Sequence, residues 1–348
     1  MTDIKSLNLS ELEDFVLKLG EPKFRAGQLY SWFHVHMARD YDEMLNIPKA
    51  LKEKLKENAC FTSLNKALVQ VSKIDGTRKY LFELADHNLI EAVFMRYKHG
   101  NSVCISSQVG CRMGCRFCAS TLDGVARNLT PSEMLDEIYA ISRDVGERIS
   151  NIVVMGMGEP LDNFDNLVKF LQLISDENGL NISQRNITVS TCGLVPMIKR
   201  LADMKFQITL ALSLHCATDE KRRSLMPIAK SYSIEELMEA CEYYFNSTGR
   251  RISFEYALVK GNNDSIRDAQ DLSALAQRVH AHVNLIPVNP IKERDYKRSG
   301  KDEIYAFKNK LEKNKINVTI RRELGSDIDG ACGQLRRRVS AEGAHVVS

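Results

Sequence analysis

A chain of 348 residues, 44% hydrophobic and 27% charged, has enough apolar mass for a large packed core. It contains no apolar run of about 18 residues, and its opening MTDIKSLNLSELEDF lacks a signal-type apolar stretch, so a soluble cytoplasmic protein is expected. The net charge of +3 is too small to name a partner, and nine cysteines without a repeating spacing argue against a secreted disulfide framework.

Residues 1–95 are expected to form a small helical and β accessory unit. Ser10 and Glu13 have capping-box spacing ahead of a helical stripe of Leu12, Phe15, Val16 and Leu19. Lys23 to His36, with the only tryptophan, Trp32, reads as a second helix. Two strand-like runs follow, Lys79 to Leu84 and Leu89 to Tyr97, and Glu91 interrupts the second as an outward-facing strand residue would.

From about residue 100 short apolar runs alternate with helix-period segments. The runs are Val103–Ser106, Ile152–Met155, Ile187–Ser190, Ile208–Leu214, Ile252–Val259, Val283–Val288 and Val318–Ile320. Between them, Thr130-Pro131-Ser132-Glu133 opens a stripe of Met134, Ile138, Ile141 and Val145, with Thr as cap and Pro at the first helical position. Leu167, Phe170, Leu171 and Ile174 make another stripe. Strands joined by amphipathic crossovers mean a parallel sheet. The expected fold is therefore α/β, a partial (β/α)6 barrel over residues 96–335 with chemistry at the C-terminal strand ends, and 336–348 as a tail. Lys221-Arg222-Arg223, Arg250-Arg251, Arg321-Arg322 and Arg336-Arg337-Arg338 are basic clusters that read as solvated surface or as phosphate contacts.

The densest chemical signal is Cys111-x3-Cys115-x2-Cys118, just past the first barrel strand. Three thiolates suit a [4Fe-4S] cluster that keeps one iron open. The alternative is a structural zinc site completed by Cys104, a zinc-ribbon RNA-binding module without catalysis, although only one C-x2-C pair is present. In Met155-Gly-Met-Gly158-Glu159-Pro160 the glycines permit close backbone approach to a ligand, or make a plain strand-to-helix turn. Ser190 and Ser213-Leu214-His215 end two strands, and Asn289 ends a later one; alone, His215 reads more simply as a satisfied core or surface histidine and Asn289 as a turn residue. Cys332 lies between small residues rather than bulky apolar ones, which suits a thiol carried on a movable loop. Cys60, Cys192, Cys216 and Cys241 read as small filler residues.

The triplet, with Phe117 before its last cysteine, resembles the radical S-adenosylmethionine superfamily. Cys104-Ile-Ser-Ser-Gln-Val-Gly-Cys111, Met155–Pro160, Ser213-Leu-His215, Ile286-Pro-Val-Asn-Pro290 and Gly325–Leu335 extend the resemblance to the RlmN/Cfr family from about residue 20 to 335. Val109-Gly110 before the cluster and Pro160 after Glu159 resemble the RlmN branch rather than Cfr, whose C8 methylation of adenine confers antibiotic resistance. The resemblance implies methylation of adenine C2 in 23S ribosomal RNA and, in some bacteria, in transfer RNA, with either or both open for this chain; a monomer using an electron donor such as flavodoxin or ferredoxin is expected. It implies that Cys111, Cys115 and Cys118 hold the cluster, and that Gly158, Glu159, Ser190, Ser213, Leu214, His215 and Asn289 bind S-adenosylmethionine. Two cofactor molecules are then used per turnover: one methylates Cys332, the other yields a radical that activates that methyl for addition to C2. Polar methyl transfer is closed at C2, which lies between two ring nitrogens and is electrophilic. Glu91 would take the C2 proton, and Cys104 would release the RNA by forming a disulfide with Cys332.

Overall fold

A computed structural model describes residues 1–288, 296–328 and 333–341. The calls on Asn289 and Cys332 lie outside the described residues. The N-terminal segment is helical: α1 (Leu9–Lys18), α2 (Phe24–His34) and α3 (Lys49–Asn58), tied by a short parallel pair of β1 (Thr2–Asp3) with β2 (Ala59–Cys60). The capping box of α1 is Asn8 with Glu11, two residues before the expected Ser10 and Glu13. Both pairs have the same spacing; the earlier cap starts the helix at Leu9 and buries Leu12 and Val16.

A ten-stranded sheet forms the body of the described residues. It begins with an antiparallel meander, β3 (Asn65–Val71), β4 (Arg78–Glu83), β5 (Leu89–Tyr97) and β6 (Gly100–Ile105). A small antiparallel pair follows, β7 (Gln108–Gly110) and β8 (Val125–Asn128), with the cysteine triplet in the loop between. From β6 the main sheet continues in parallel through β9 (Asn151–Val154), β10 (Ile187–Thr191), β11 (Thr209–Ser213), β12 (Ile252–Leu258), β13 (His282–Pro287) and β14 (Val318–Ile320). Each expected barrel strand is present within a few residues of its apolar run, in an open, partial barrel.

The crossover helices are α4 (Pro131–Val145), α5 (Phe164–Ile174), α6 (Val195–Asp203), α7 (Asp219–Leu225), α8 (Ile234–Thr248), α9 (Ile266–Arg278) and α10 (Lys301–Lys313), with α11 (Gln334–Ala341) at the end. Helix α4 starts as its sequence dictates, with the Thr130–Glu133 box and Pro131 inside it, and ends at left-handed Gly146. Strand β10 shows how the barrel divides its faces: Ile187, Val189 and Thr191 are buried, while Thr188 and Ser190 are only half-buried.

The boundary expected at residue 95 is corrected by this sheet, because β3, β4 and β5 are strands of the same sheet as the barrel. One hydrophobic core runs from Ile4 and Leu12 through Phe94 to Leu258 and Phe307. A buried ion pair, Lys5 Nζ to Asp136 Oδ1 at 2.8 Å, fastens the helical N-terminus to α4, and Leu64 N–H donates to the other Asp136 oxygen at 2.7 Å. Among the described residues no helix is long and apolar enough to cross a membrane.

Candidate active site

The cysteine loop is held by its own backbone and by α7. Cys111 N–H donates to Gly124 O (2.8 Å), Cys118 N–H to Cys115 O (3.2 Å), and Thr121 Oγ1 caps both Cys115 O and Cys118 O (3.0 Å each). Arg116 N–H donates to Leu225 O at 2.9 Å, docking the loop on the end of α7. Cys111 and Cys115 are buried and Cys118 partly so. Burial pushes the Cys111 thiol up to about 12 and raises Cys115 as well, and Cys118 opposes the ionisation of both. Left alone these thiols stay protonated; a bound metal would have to displace the protons.

Two observations bear on what the triplet holds. Among the described residues no three His, Cys, Asp or Glu side chains close around one ion, and Cys104 packs apart, with Val93, Met95 and Val153. The zinc set of Cys104 with the triplet is therefore not assembled. A cluster makes a different demand, since each thiolate binds its own iron and the three need not converge on a point. The second observation is Arg222, expected on the surface or on phosphate and found completely buried on α7, with Nη1 lacking any hydrogen-bond partner. A buried guanidinium against the triplet fits an anionic occupant there.

Beside the triplet opens a cavity of about 500 Å³ whose lining includes Cys104, Phe117, Cys118, His215, Ile286, Arg321, Arg322 and Gln334. His215 adopts φ 55°, which lifts the chain off the end of β11. Its Nδ1 accepts from Ala257 N–H at 2.9 Å, and its ring meets Phe117 edge to face with centroids 4.7 Å apart. Burial, then the Arg222 charge, lowers the imidazole to about 3, so it stays neutral with Nε2 protonated. Ser190 and Ser213 stand on adjacent strands with their hydroxyls 3.3 Å apart, whereas Leu214 is core.

Gly158 has φ 105°, and a Cβ there would strike Ser107 and Gln108 at 2.7 Å. Only glycine fits. Glu159 departs from the chemistry expected of it. Its carboxylate accepts from Cys192 N–H (2.7 Å) and Leu161 N–H (3.1 Å) and is buried, so it clasps the ends of β9 and β10 together. A cofactor amine at this turn would meet backbone rather than a spare carboxylate.

Glu91 is likewise not presented to the cavity. Its carboxylate pairs with buried Lys79 (2.7 Å) and accepts from Gly333 N–H (2.6 Å) and Arg336 N–H (2.7 Å) at the start of α11. Its two oxygens are already occupied by a cation and two amides, so neither is turned toward a substrate proton. In this arrangement Glu91 anchors the C-terminal helix, and the base role implied by resemblance requires that helix to let go.

Three residues escaped the sequence reading. In sequence Lys79 is only the first residue of a strand run, and it is fully buried. Asn263, wholly buried, donates to His215 O (2.6 Å) and Ala257 O (2.7 Å) and accepts from Val259 N–H (2.8 Å), bracing the His215 turn from what reads as a plain loop. Glu255 is a buried acid on β12, bonded by Ser253 (2.9 Å) and Asn284 (2.7 Å), which alternation alone does not mark.

A partial barrel with a three-cysteine loop beyond its first parallel strand defines the class, the radical S-adenosylmethionine proteins, and residues 105–272 match that superfamily. Residues 2–61 match the ribosomal RNA large subunit methyltransferase N-terminal domain. A protein of Lachnospira eligens named probable dual-specificity RNA methyltransferase RlmN is 65% identical over 338 residues, 97% of each chain. One of the same name from Lachnoclostridium phytofermentans is 60% identical over 96% of this chain and 94% of its own. A crystal structure of a radical SAM methyltransferase from Sphaerobacter thermophilus superposes with TM-score 0.92 and 41% identity, over 96% of this chain and 99% of that one. The chain belongs to the RlmN family of radical SAM RNA methyltransferases. The superfamily carries a [4Fe-4S] cluster and S-adenosylmethionine.

Proposed function

We propose that this protein methylates C2 of adenine in RNA, in both 23S ribosomal RNA and transfer RNA, by way of a methylated Cys332. The observation that carries the reading is a shared cavity: Cys104, the Phe117–Cys118 end of the cluster loop, and Gly325, Ser326, Ile328 and Gln334, which flank Cys332 in the sequence, line one space. When bound, the cluster and S-adenosylmethionine supply the methyl group and a carbon radical. Cys111, Cys115 and Cys118 would hold the cluster, and Gly158, Ser190, Ser213 and His215 would seat the cofactor, with Asn289 assigned to it by the resemblance alone. His215, kept neutral and fixed by Ala257 N–H, offers an Nε2–H donor and a ring packed edge to face with Phe117. Arg321 and Arg322 on the cavity wall suit the phosphates of an extruded nucleotide.

Cys332 would carry the methyl carbon and remain joined to C2 through it, until Cys104 attacks the Cys332 sulfur. A sulfur–sulfur bond then forms and the sulfur–carbon bond breaks, its electron pair going to the methylene carbon, which takes up a proton as the RNA leaves. Cys104→Ala should therefore accumulate protein joined covalently to RNA through a methylene labelled from S-adenosylmethionine. Normal turnover by that variant, or loss of its iron, would overturn the role given to Cys104.

A further inference from the structure

Arg222 has no part in the chemistry described so far, and its surroundings are unusual for an arginine. It projects from the short helix α7 and is wholly buried. Its Nη2 donates to Cys192 O at 2.6 Å and its Nε to Leu214 O at 3.2 Å, while Nη1 donates to nothing. Among the described residues no carboxylate lies within ion-pairing distance of it; burial opposes its charge, and the ionisable groups near it are the thiols of Cys192, Cys115 and Cys216, with Asp219 contributing less. Those three cysteines pack in one apolar pocket with Leu225 and Met226, against Phe117 and Cys118. The chain makes room for the guanidinium: a Cβ at Gly193 would come within 3.3 Å of Nη2 and 2.6 Å of Leu237.

A guanidinium keeps its charge when buried, so the protein must supply negative charge near it. Protonated thiols do not. Cysteinate ligands and the anionic cluster they would hold do, and each one-electron reduction of such a cluster adds a further unit of negative charge. Buried away from solvent, that charge and the guanidinium attract more strongly than they would at the surface. We propose that Arg222 is the built-in counter-charge of the group held by Cys111, Cys115 and Cys118, and that it favours that group's reduced state. This rests on the cluster assignment above. The rival account is that Arg222 only ties the ends of β10 and β11 together through Cys192 O and Leu214 O.

Charge and hydrogen bonding are separated by two substitutions. Arg222→Gln removes the charge and keeps a donor; Arg222→Lys keeps the charge and loses the fork. Anaerobically reconstituted holoproteins would be titrated with redox mediators in the absence of S-adenosylmethionine, the reduced cluster being counted by electron paramagnetic resonance. At a fixed potential Arg222→Gln should hold about tenfold less reduced cluster relative to oxidised, a midpoint about 59 mV more negative, whereas Arg222→Lys stays within about threefold of the parent. Failure of Arg222→Gln alone to retain iron would also support a counter-charge. Arg222→Gln titrating like the parent, Arg222→Lys shifting as far as Arg222→Gln, or both variants losing iron would overturn the proposal. A parent protein that takes up no iron would instead remove the cluster assignment beneath it.

Discussion

Glu137 supports the site from below. Its Oε2 accepts from Ser106 N–H at 3.0 Å, and Ser106 Oγ in turn accepts from Met157 N–H at 3.0 Å, so the carboxyl props the chain where the cysteine and glycine motifs start. Its Oε1 has no partner. Burial raises this carboxyl well above the ordinary range, and the charge of Glu133 raises it further, against the pull of Ser106. A carboxyl whose folded value lies above its unfolded value contributes stability that is fully present below the unfolded value and lost as pH rises through the folded one. Glu137→Gln should thus melt like the parent near pH 4.5 and gain on it at higher pH, by at least about 1 kcal/mol at pH 8. A melting difference that stays constant across that range would contradict the assignment. The residues assigned to the cluster were legible because Cys111, Cys115 and Cys118 are neighbours in the chain. Arg222, Asn263 and Lys79 were not, because what defines each is a partner brought in by folding and not a pattern of neighbours.

The junction of β4, β5 and α11 joins two parts of the chain 242 residues apart, Glu91 and Gly333. The negative carboxylate at the first turn of α11 also answers the unpaired amides there. Removing one partner of a buried pair leaves the other charge stranded and costs about 3–5 kcal/mol locally. Lys79→Met and Glu91→Gln should therefore loosen α11, speeding amide exchange at residues 333–338 well before the β-sheet is affected. If anchoring is the main task of Glu91, both variants should also methylate Cys332 at least about tenfold more slowly with S-adenosylmethionine alone, read from the mass of the Cys332 peptide. Normal methylation of Cys332 followed by a stall on RNA would instead restore Glu91 as a base only. Elements were read well where pattern and caps agreed, as in α4. Strand β3 was missed because it is an edge strand with Leu68 and Val71 open to solvent, and its short Ala67–Val71 apolar run does not mark one buried face.

Across the whole molecule, the change of pattern near residue 100 is a change from antiparallel to parallel pairing within one sheet, not a domain boundary. A strand run carries no mark of which strand it will join, so the continuity of β3 to β14 was invisible in sequence. That continuity has a functional sense. The antiparallel end of the sheet brings Val93, Met95 and Cys104, and the parallel end brings His215 and the β13 exit, to one cavity. The cavity is where RNA, cofactor and the two cysteines would meet, and the product distinguishes this account from every neighbour of it. The direct measurement is mass spectrometry of nucleosides from 23S ribosomal RNA and transfer RNA after anaerobic incubation with the reconstituted protein, S-adenosylmethionine and a one-electron donor. The account predicts 2-methyladenosine in both RNAs, absent with Cys115→Ala or Cys332→Ala. Adenosine methylated at C8, or no methylated adenosine from protein with an intact cluster, would contradict it.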